Sequence, residues 1–250
     1  MGGTGNRFPN TVSLWSQFMR AKTSDETRRR AIIGKLADAY WKPVYVYLRY
    51  RGYDNERAKD LTQGFFCDIV LERDIFQQAD LGKGRFRTFL LTTLGYYLID
   101  LHRHEERLKR KPEGGVALVD FDEIGDWAMP ASSERPEDAF YYGWVVTLLD
   151  RVLHELEHEY RSSGRDAHWE VFDAKVLAPI IRDGDPPPMA DICRKHGLAD
   201  SQQASNLIVT VKRRFHTVLK RVLRDFVRSD AEVEEEFREI FEFLLRCRAR

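Results

Sequence analysis

The sequence predicts an all-α protein with two small helical domains, joined by an acidic linker and extended by helices at the N-terminal and C-terminal ends. Apolar residues recur at offsets of three and four along most of the chain, which is the period of an amphipathic helix. Prolines, glycines and acidic residues interrupt this pattern, as is typical of a linker. The predicted parts are an N-terminal extension, a first domain, the linker, a second domain and an acidic C-terminal helix, at residues 1–29, 30–111, 112–135, 136–228 and 229–250.

Four helices are predicted before the linker, at about residues 11–21, 25–51, 55–73 and 85–111. Ser24 or Asp25 can cap the second of these helices, and Pro43 inside it can kink it. Gly52 ends that helix, and Asp54 caps the next one.

Five helices are predicted after the linker, at about residues 136–161, 169–181, 189–196, 201–227 and 230–247. Pro136 stands in a first helical turn, where its missing N–H costs nothing. The proline-rich residues 184–188 stop one helix, and Gly197 makes a tight turn between two others. The last helix has an apolar face made of Phe237, Ile240, Phe241, Leu244 and Leu245.

Basic and acidic blocks alternate along the chain, although the formal net charge is zero. Residues 83–111 contain eight Lys/Arg and three Asp/Glu, and residues 201–228 contain seven and one. Residues 112–162 contain three Lys/Arg and twelve Asp/Glu, and residues 229–242 contain one and seven. The neutral total therefore conceals two candidate polyanion-binding faces.

Cysteine usage and hydropathy exclude several classes of protein. The three cysteines, Cys67, Cys193 and Cys247, lie far apart and form no CxxC pair, which predicts a reducing compartment and no disulfide or zinc framework. No apolar signal segment opens the sequence, and the most apolar stretch, residues 89–99, is about half a membrane span. We therefore expect a cytoplasmic protein with no membrane partner and no cofactor.

Residues 189–215 have the pattern of a helix-turn-helix. Met189, Ile192 and Cys193 share one face of the first helix, and Leu198 closes the turn. The second helix is predicted to bury Ala204, Ile208, Val211 and Phe215. Its opposite face carries groups suited to base edges and then cations suited to phosphates: Gln202, Gln203, Ser205, Asn206, Val209, Thr210, Lys212, Arg213 and Arg214, followed by Lys220, Arg221 and Arg224. The alternative is a solvated basic helix without a nucleic-acid role.

The first domain carries a family resemblance. The stretch AYWKPVYVYLRYRGYDNERAKDLTQGFFCDIVLERD, followed by GKGRFRTFLLTTLGYYLIDLHRH, resembles region two of RNA polymerase sigma factors of the extracytoplasmic-function (ECF) type. The helix-turn-helix stands where sigma region four should be, so the resemblance covers roughly residues 30–228. The RFPxT-type opening and the YWxPVYxYLRxRG motif look closest to a branch associated with planctomycete-like bacteria.

The resemblance implies a transcription initiation factor with core RNA polymerase and promoter DNA as partners, and it implies no enzyme activity. It assigns the polymerase contact to Arg57, Asp60 and Gln63. It assigns the −10 promoter element to Lys83, Arg85, Arg87, Tyr96, His102, Arg103 and Arg107. Binding of the −35 element falls to Gln202, Gln203, Ser205, Asn206, Val209, Thr210, Lys212, Arg213 and Arg214. The resemblance leaves open whether an anti-sigma factor is a further partner.

The sequence departs from the family pattern at several positions. Gly64 stands where many members carry an acidic residue, which removes one candidate polymerase contact. Val209 and Thr210 replace a frequent His-Arg pair, which puts the −35 sequence preference in doubt.

Phe86 and Tyr97 could join Tyr96 in a pocket for an unstacked base, but core packing is the favoured interpretation for both.

Alternative interpretations remain at this point. His154 and His158 match the HExxH pattern of zinc hydrolases, with His168 as a conceivable third ligand, but a solvated charged face is favoured. The chain could also be a stand-alone helix-turn-helix regulator. For residues 229–250, the hypotheses are a helix that masks a basic face and, preferred, a helix that packs its apolar face on the second domain.

Overall fold

A computed structural model describes residues 26–67, 85–108, 135–181, 185–227 and 229–248, and these residues form helices and turns without any strand. This confirms the predicted all-α class. The helices are α1 (Glu26–Tyr50), α2 (Asn55–Gly64), α3 (Phe86–Leu108), α4 (Pro136–Ser162), α5 (Asp166–Phe172), α6 (Ala178–Ile181), α7 (Met189–His196), α8 (Ser201–Leu223) and α9 (Asp230–Arg248). A π-helical turn, Asp173–Leu177, joins α5 to α6.

The helix ends lie close to where the punctuating residues predict them. Gly52, just past α1, has a φ of 91°, which a side chain would disfavour. The Asp54 carboxylate caps α2 by accepting from the Arg57 backbone N–H at 2.8 Å. Pro136 occupies the first turn of α4. Pro43 lies inside α1, which continues through it to Tyr50.

Two predicted boundaries differ from the observed ones. The helix predicted from about residue 169 begins at Asp166, one turn earlier, because the backbone turns at Gly164 with a φ of 68°. The helix predicted to run from residue 201 to about residue 227 ends at Leu223, and turns follow it. The predicted helix at residues 11–21 lies outside the described residues.

Among the described helices, the most extensive packing joins α1, from the first half of the chain, to α4, from the second half. Tyr40 and Phe140 stack with ring centroids 6.3 Å apart and an interplanar angle of 19°. The backbones come close where a Cβ added at Gly143 would lie 3.0 Å from the Pro43 Cα. One continuous apolar core therefore includes residues from both halves, and the boundaries of the two domains stay a prediction.

The acidic helix α9 packs with its apolar face inward. Val233, Ile240 and Phe243 are buried, and Phe243 meets Tyr141 of α4 edge to face at 4.7 Å between centroids. Phe237 also lies 5.2 Å from the His216 ring of α8. These contacts with α4 and α8 agree with the preferred hypothesis that the apolar face packs, except that Leu245, which was predicted on that face, is 66% exposed.

Among the residues that the structure describes, no helix combines the length and the apolar character needed to cross a membrane.

Candidate nucleic-acid interfaces

The predicted helix-turn-helix is formed by α7 and α8. Gly197 ends α7 with a left-handed φ of 62°, and the Leu198 N–H donates to the Cys193 carbonyl at 2.9 Å. The Asp200 carboxylate caps α8 by accepting from the Gln203 N–H at 2.7 Å. Local sequence thus ends α7 and caps α8, with a short turn between the two helices.

The two sides of α8 have the polarity that its sequence predicts. Ala204, Ile208 and Val211 are buried against the core, and Phe215 is half-buried. The opposite side exposes five of the predicted contact groups before its third turn ends and three basic ones after it, namely Gln202, Gln203, Asn206, Val209, Thr210, Lys212, Arg213 and Arg214. Ser205 is half-buried, and its hydroxyl donates to the Ser201 carbonyl at 2.9 Å.

The amide side chains at the start of α8 are already engaged within the helix. The Gln203 Oε1 accepts from the Ala199 backbone N–H at 2.8 Å, so this side chain helps to cap the helix. The Gln202 Nε2 donates to the Asn206 Oδ1 at 3.1 Å. Of these predicted base contacts, Gln202 and Asn206 form an exposed pair, whereas Gln203 is committed to the turn.

The basic residues of α8 fall into two groups. Arg214 binds Glu159 of α4, with its Nη2 2.9 Å from Oε2, and this hydrogen bond raises the pKa of the guanidinium. Arg221 pairs with Glu155 of the same helix. All four side chains are exposed, but Lys212 and Arg213 have no ion-pair partner among the described residues. Fewer unpaired cations therefore lie beside the polar face than the sequence predicts.

An exposed apolar and basic stripe runs along α3. Tyr96 is 66% exposed and Ile99 is 49% exposed. Arg103, one turn further on, is also exposed and lies 3.9 Å from Asp100. Offsets of three and four place Tyr96, Ile99 and Arg103 on one face, which is the arrangement that single-stranded nucleic acid requires for stacking beside a cation.

The other residues predicted near this stripe are distributed differently. Phe86 is buried, and Tyr97 is half-buried with its ring 5.6 Å from that of Phe65, in agreement with the core interpretation. His102 is exposed. Lys83 lies outside the described residues, and Arg107 is a residue of α3 whose side chain is likewise outside them.

Arg85 and Arg87, at the N-terminal end of α3, do not share the exposed stripe. The Arg85 Nη2 lies 2.8 Å from the Glu239 Oε1, and the Arg87 Nη2 lies 3.1 Å from the Glu239 Oε2, both on α9. Arg87 also pairs with Glu236, and its guanidinium lies 4.9 Å from the ring centroid of Tyr141. Both arginines are thus enclosed by protein groups, which their basic neighbourhood in the sequence does not reveal.

The surface of α2 agrees with the predicted orientation of that helix. Leu61, Phe65 and Phe66 are buried, and Asp60 is exposed. Arg57 and Gln63 are half-buried. The face assigned to polymerase therefore centres on Asp60.

The HExxH residues do not come together as a metal site in the described part of the chain. His154 and His158 are exposed, and Glu155 is paired with Arg221. His168 stacks on Tyr160 with ring centroids 5.7 Å apart. Within the described ranges, no group of three or more His, Cys, Asp or Glu side chains is placed to hold a metal ion.

A scan against protein-family models, a search of curated proteins and a search of solved structures found no match to this chain.

Proposed function

We propose that this chain is a sigma factor of the ECF type, which binds core RNA polymerase and directs promoter recognition. The observation that carries the proposal is the presence in one chain of two differently built surfaces. One is the stripe of Tyr96, Ile99 and Arg103 on α3, and the other is the polar and basic side of α8. Together they suit a protein that must hold both single-stranded and double-stranded DNA.

The role proposed for α8 is binding of the −35 element as duplex DNA. A helix presented by a tight turn can enter the major groove, where its first turns meet base edges. Gln202 and Asn206 are exposed on those turns, and Lys212 and Arg213 follow at a position suited to phosphates. Between these two pairs of residues, Val209 supplies an apolar contact and Thr210 supplies a hydroxyl.

The role proposed for α3 is binding of the melted −10 element. An exposed aromatic ring provides a surface on which a base can stack, and a neighbouring cation neutralises the backbone. Tyr96 offers the ring, and Arg103 and His102 offer basic groups one to two turns away. Phe86 and Tyr97 support this surface from the core rather than forming part of it.

Binding of the polymerase is proposed for α2, through Asp60 with Arg57 and Gln63 beside it. The test is a pull-down of purified bacterial core RNA polymerase by the wild-type chain and by the double variant Asp60→Arg plus Gln63→Ala. We expect the wild type to retain polymerase and the double variant to lose it. Asp185→Arg makes the same charge change at an exposed position after α6 and should bind like the wild type.

A wild-type chain that is folded but retains no polymerase would contradict the proposal. The second candidate is then a stand-alone helix-turn-helix regulator, which the exposed side of α8 favours because that surface alone suffices to read a duplex. Tight binding of duplex DNA in the absence of polymerase would support this second candidate.

A further inference from the structure

Helix α9 places its carboxylates on cations at the start of α3 and at the end of α8, the two helices that carry the proposed DNA-binding surfaces. Near its middle, Glu236 and Glu239 bind Arg85 and Arg87 at the start of α3, with the Arg85 Nε 3.0 Å from the Glu236 Oε1. Glu235 lies 3.4 Å from the Arg85 Nη2. The two guanidiniums therefore face a cluster of three carboxylates.

The first turns of the same helix bind the C-terminal end of α8. The Lys220 Nζ lies 2.7 Å from the Glu234 Oε1, and the Arg224 Nε lies 2.9 Å from the Asp230 Oδ1. One helix thus pairs with basic groups from both of the basic blocks in the sequence. Its carboxylates stand at roughly the spacing of one helical turn, on the side that faces these cations.

The contact of α9 with these cations has a buried part and a solvent-exposed part. Glu236 is 2% exposed, and the apolar residues Ile240 and Phe243 beside it are buried. Glu234, Glu235 and Asp230 are exposed, so solvent screens their pairs. A polyanion can therefore compete first for the outer pairs and reach the enclosed ones afterwards.

We propose that α9 is an autoinhibitory clasp, whose carboxylates occupy the cations of α3 and α8 until nucleic acid displaces them. The inference rests on the proposed function, which places DNA on α3 and α8, and it adds Arg85, Arg87, Lys220 and Arg224 to the groups that contact DNA. Carboxylate and phosphate compete for the same guanidinium N–H groups, since both accept paired hydrogen bonds from arginine. The free chain then keeps weak affinity for DNA, and the engaged chain releases α9.

The position of the clasp explains why the exposed DNA-binding surface is interrupted. Tyr96 lies about three helical turns beyond Arg85 on α3, so a strand stacked on Tyr96 and running along the helix reaches the end that α9 covers. On α8, Lys212 and Arg213 are accessible, whereas Lys220 and Arg224, toward the C-terminal end, are held by α9. Displacement of α9 would extend both surfaces at once.

The test measures affinity for DNA in the full-length chain with isosteric substitutions on α9. Glu239→Gln removes one charge from the pairs with Arg85 and Arg87, and Glu242→Gln removes the same charge from an exposed position of the same helix. The probe is a fluorescein-labelled single-stranded DNA of about 20 nucleotides, followed by anisotropy at low salt. We expect Glu239→Gln to bind on the order of fivefold more tightly than the wild type, the upper range for one partly exposed pair.

Glu242→Gln should differ from the wild type by much less, because it releases no cation of α3. Equal affinities for Glu239→Gln and Glu242→Gln would overturn the proposal, since the charge alone would then account for the effect. Circular dichroism of both variants checks that α9 and the rest of the fold are retained.

Hydrogen exchange of the α9 amides supplies a second readout. If α9 had only a structural role, its exchange would not become faster when DNA binds. Addition of saturating single-stranded DNA to the wild-type chain should speed exchange of residues 230–248 relative to those of α4. Exchange that stays slow with DNA bound would show that α9 is not displaced, and it would overturn the proposal. The DNA must reach saturation by anisotropy in the same buffer.

The outcomes separate this inference from the proposed function. Loss of the clasp effect with retained polymerase binding would leave the sigma-factor proposal intact. Tighter DNA binding by Glu239→Gln without any polymerase binding would support the clasp in a stand-alone regulator.

Discussion

The Arg87 guanidinium pairs with the Glu236 carboxylate in the interior of the molecule, where their side chains are 14% and 2% exposed. The pair joins α3 to α9, and the ring of Trp144 on α4 lies 5.1 Å from the same guanidinium. Three helices that are distant in the sequence therefore meet at one charged contact.

Removal of the Glu236 carboxylate should destabilise the fold strongly. In Glu236→Ala the enclosed Arg87 keeps Glu239 as its one anionic partner among the described residues, and loss of one member of a buried pair costs about 3 kcal/mol. Urea denaturation should show this loss in the free energy of unfolding. Glu242→Ala, at an exposed position of the same helix, should change it by less than about 0.5 kcal/mol. A similar effect of both variants would contradict the structural importance of the pair.

The contribution of Glu239 to stability should depend on pH. The hydrogen bond from Arg85 holds the pKa of Glu239 below its ordinary value of 4.5, so ionisation of this group favours the folded state. Its contribution is complete above that ordinary value and is lost as the pH falls through the lower, folded-state pKa. Glu239→Gln should therefore be less stable than the wild type at neutral pH, and the difference should shrink below pH 4.5. A difference that is constant with pH would contradict this assignment.

Alanine substitution should have opposite effects at two helical glycines, Gly143 of α4 and Gly95 of α3. A Cβ at Gly143 would lie 3.0 Å from the backbone Cα of Pro43, so Gly143→Ala should destabilise the fold by about 1–2 kcal/mol despite its better helix propensity. At Gly95, inside α3, a Cβ would meet no atom within 4 Å. Gly95→Ala should therefore stabilise by up to about 1 kcal/mol. Thermal denaturation of both variants checks the pair of predictions, and a stabilising Gly143→Ala would be inconsistent with the contact.

Neutralisation of the accessible cations on α8 should weaken duplex binding and reduce its dependence on salt. Lys212→Ala plus Arg213→Ala removes two candidate phosphate contacts, so the slope of log K against log salt should become less negative by about 2. Arg161→Ala plus Arg165→Ala makes the same charge change near the end of α4 and should leave the slope unchanged. Anisotropy titrations of a labelled duplex at several salt concentrations measure both slopes. Equal slopes for the two double variants would remove Lys212 and Arg213 from the interface.

The exposed ring of Tyr96 should contribute to single-strand binding through stacking. Tyr96→Ala should weaken binding of single-stranded DNA by about 1–3 kcal/mol, the usual range for one stacked base. Tyr96→Phe keeps the ring and should bind nearly as the wild type does. Because the side chain is largely exposed, neither change should alter the melting temperature appreciably. Equal affinities of the alanine and phenylalanine variants would exclude stacking at this position.

Local features of the sequence predicted most of the fold. The cap at Asp54, the left-handed turn at Gly197 and the proline at the start of α4 are decided by neighbouring residues, and each stands where it was expected. The buried side of α8 followed from periodicity alone, because Ala204 and Ile208 lie four positions apart on a continuous helix.

The pairing of charges could not be predicted in the same way. Arg85 and Arg87 stand in a basic block, and their acidic partners lie 149 to 154 positions later in the chain. Arg214 likewise belongs to a basic run, and Glu159 lies 55 positions before it. Periodicity reports which side of a helix is buried, but it does not report which helix covers that side. The alternation of basic and acidic blocks was the one signal that such pairs exist.

The meeting of α3, α4 and α9 also sets the order in which the chain can fold during its synthesis. Arg87 emerges from the ribosome 149 residues before Glu236, and Tyr141 emerges long before Phe243 covers its ring. Until then the growing chain exposes an arginine without its buried partner and an uncovered aromatic surface. We therefore expect the parts of α3 and α4 that α9 covers to stay exposed until α9 has been translated.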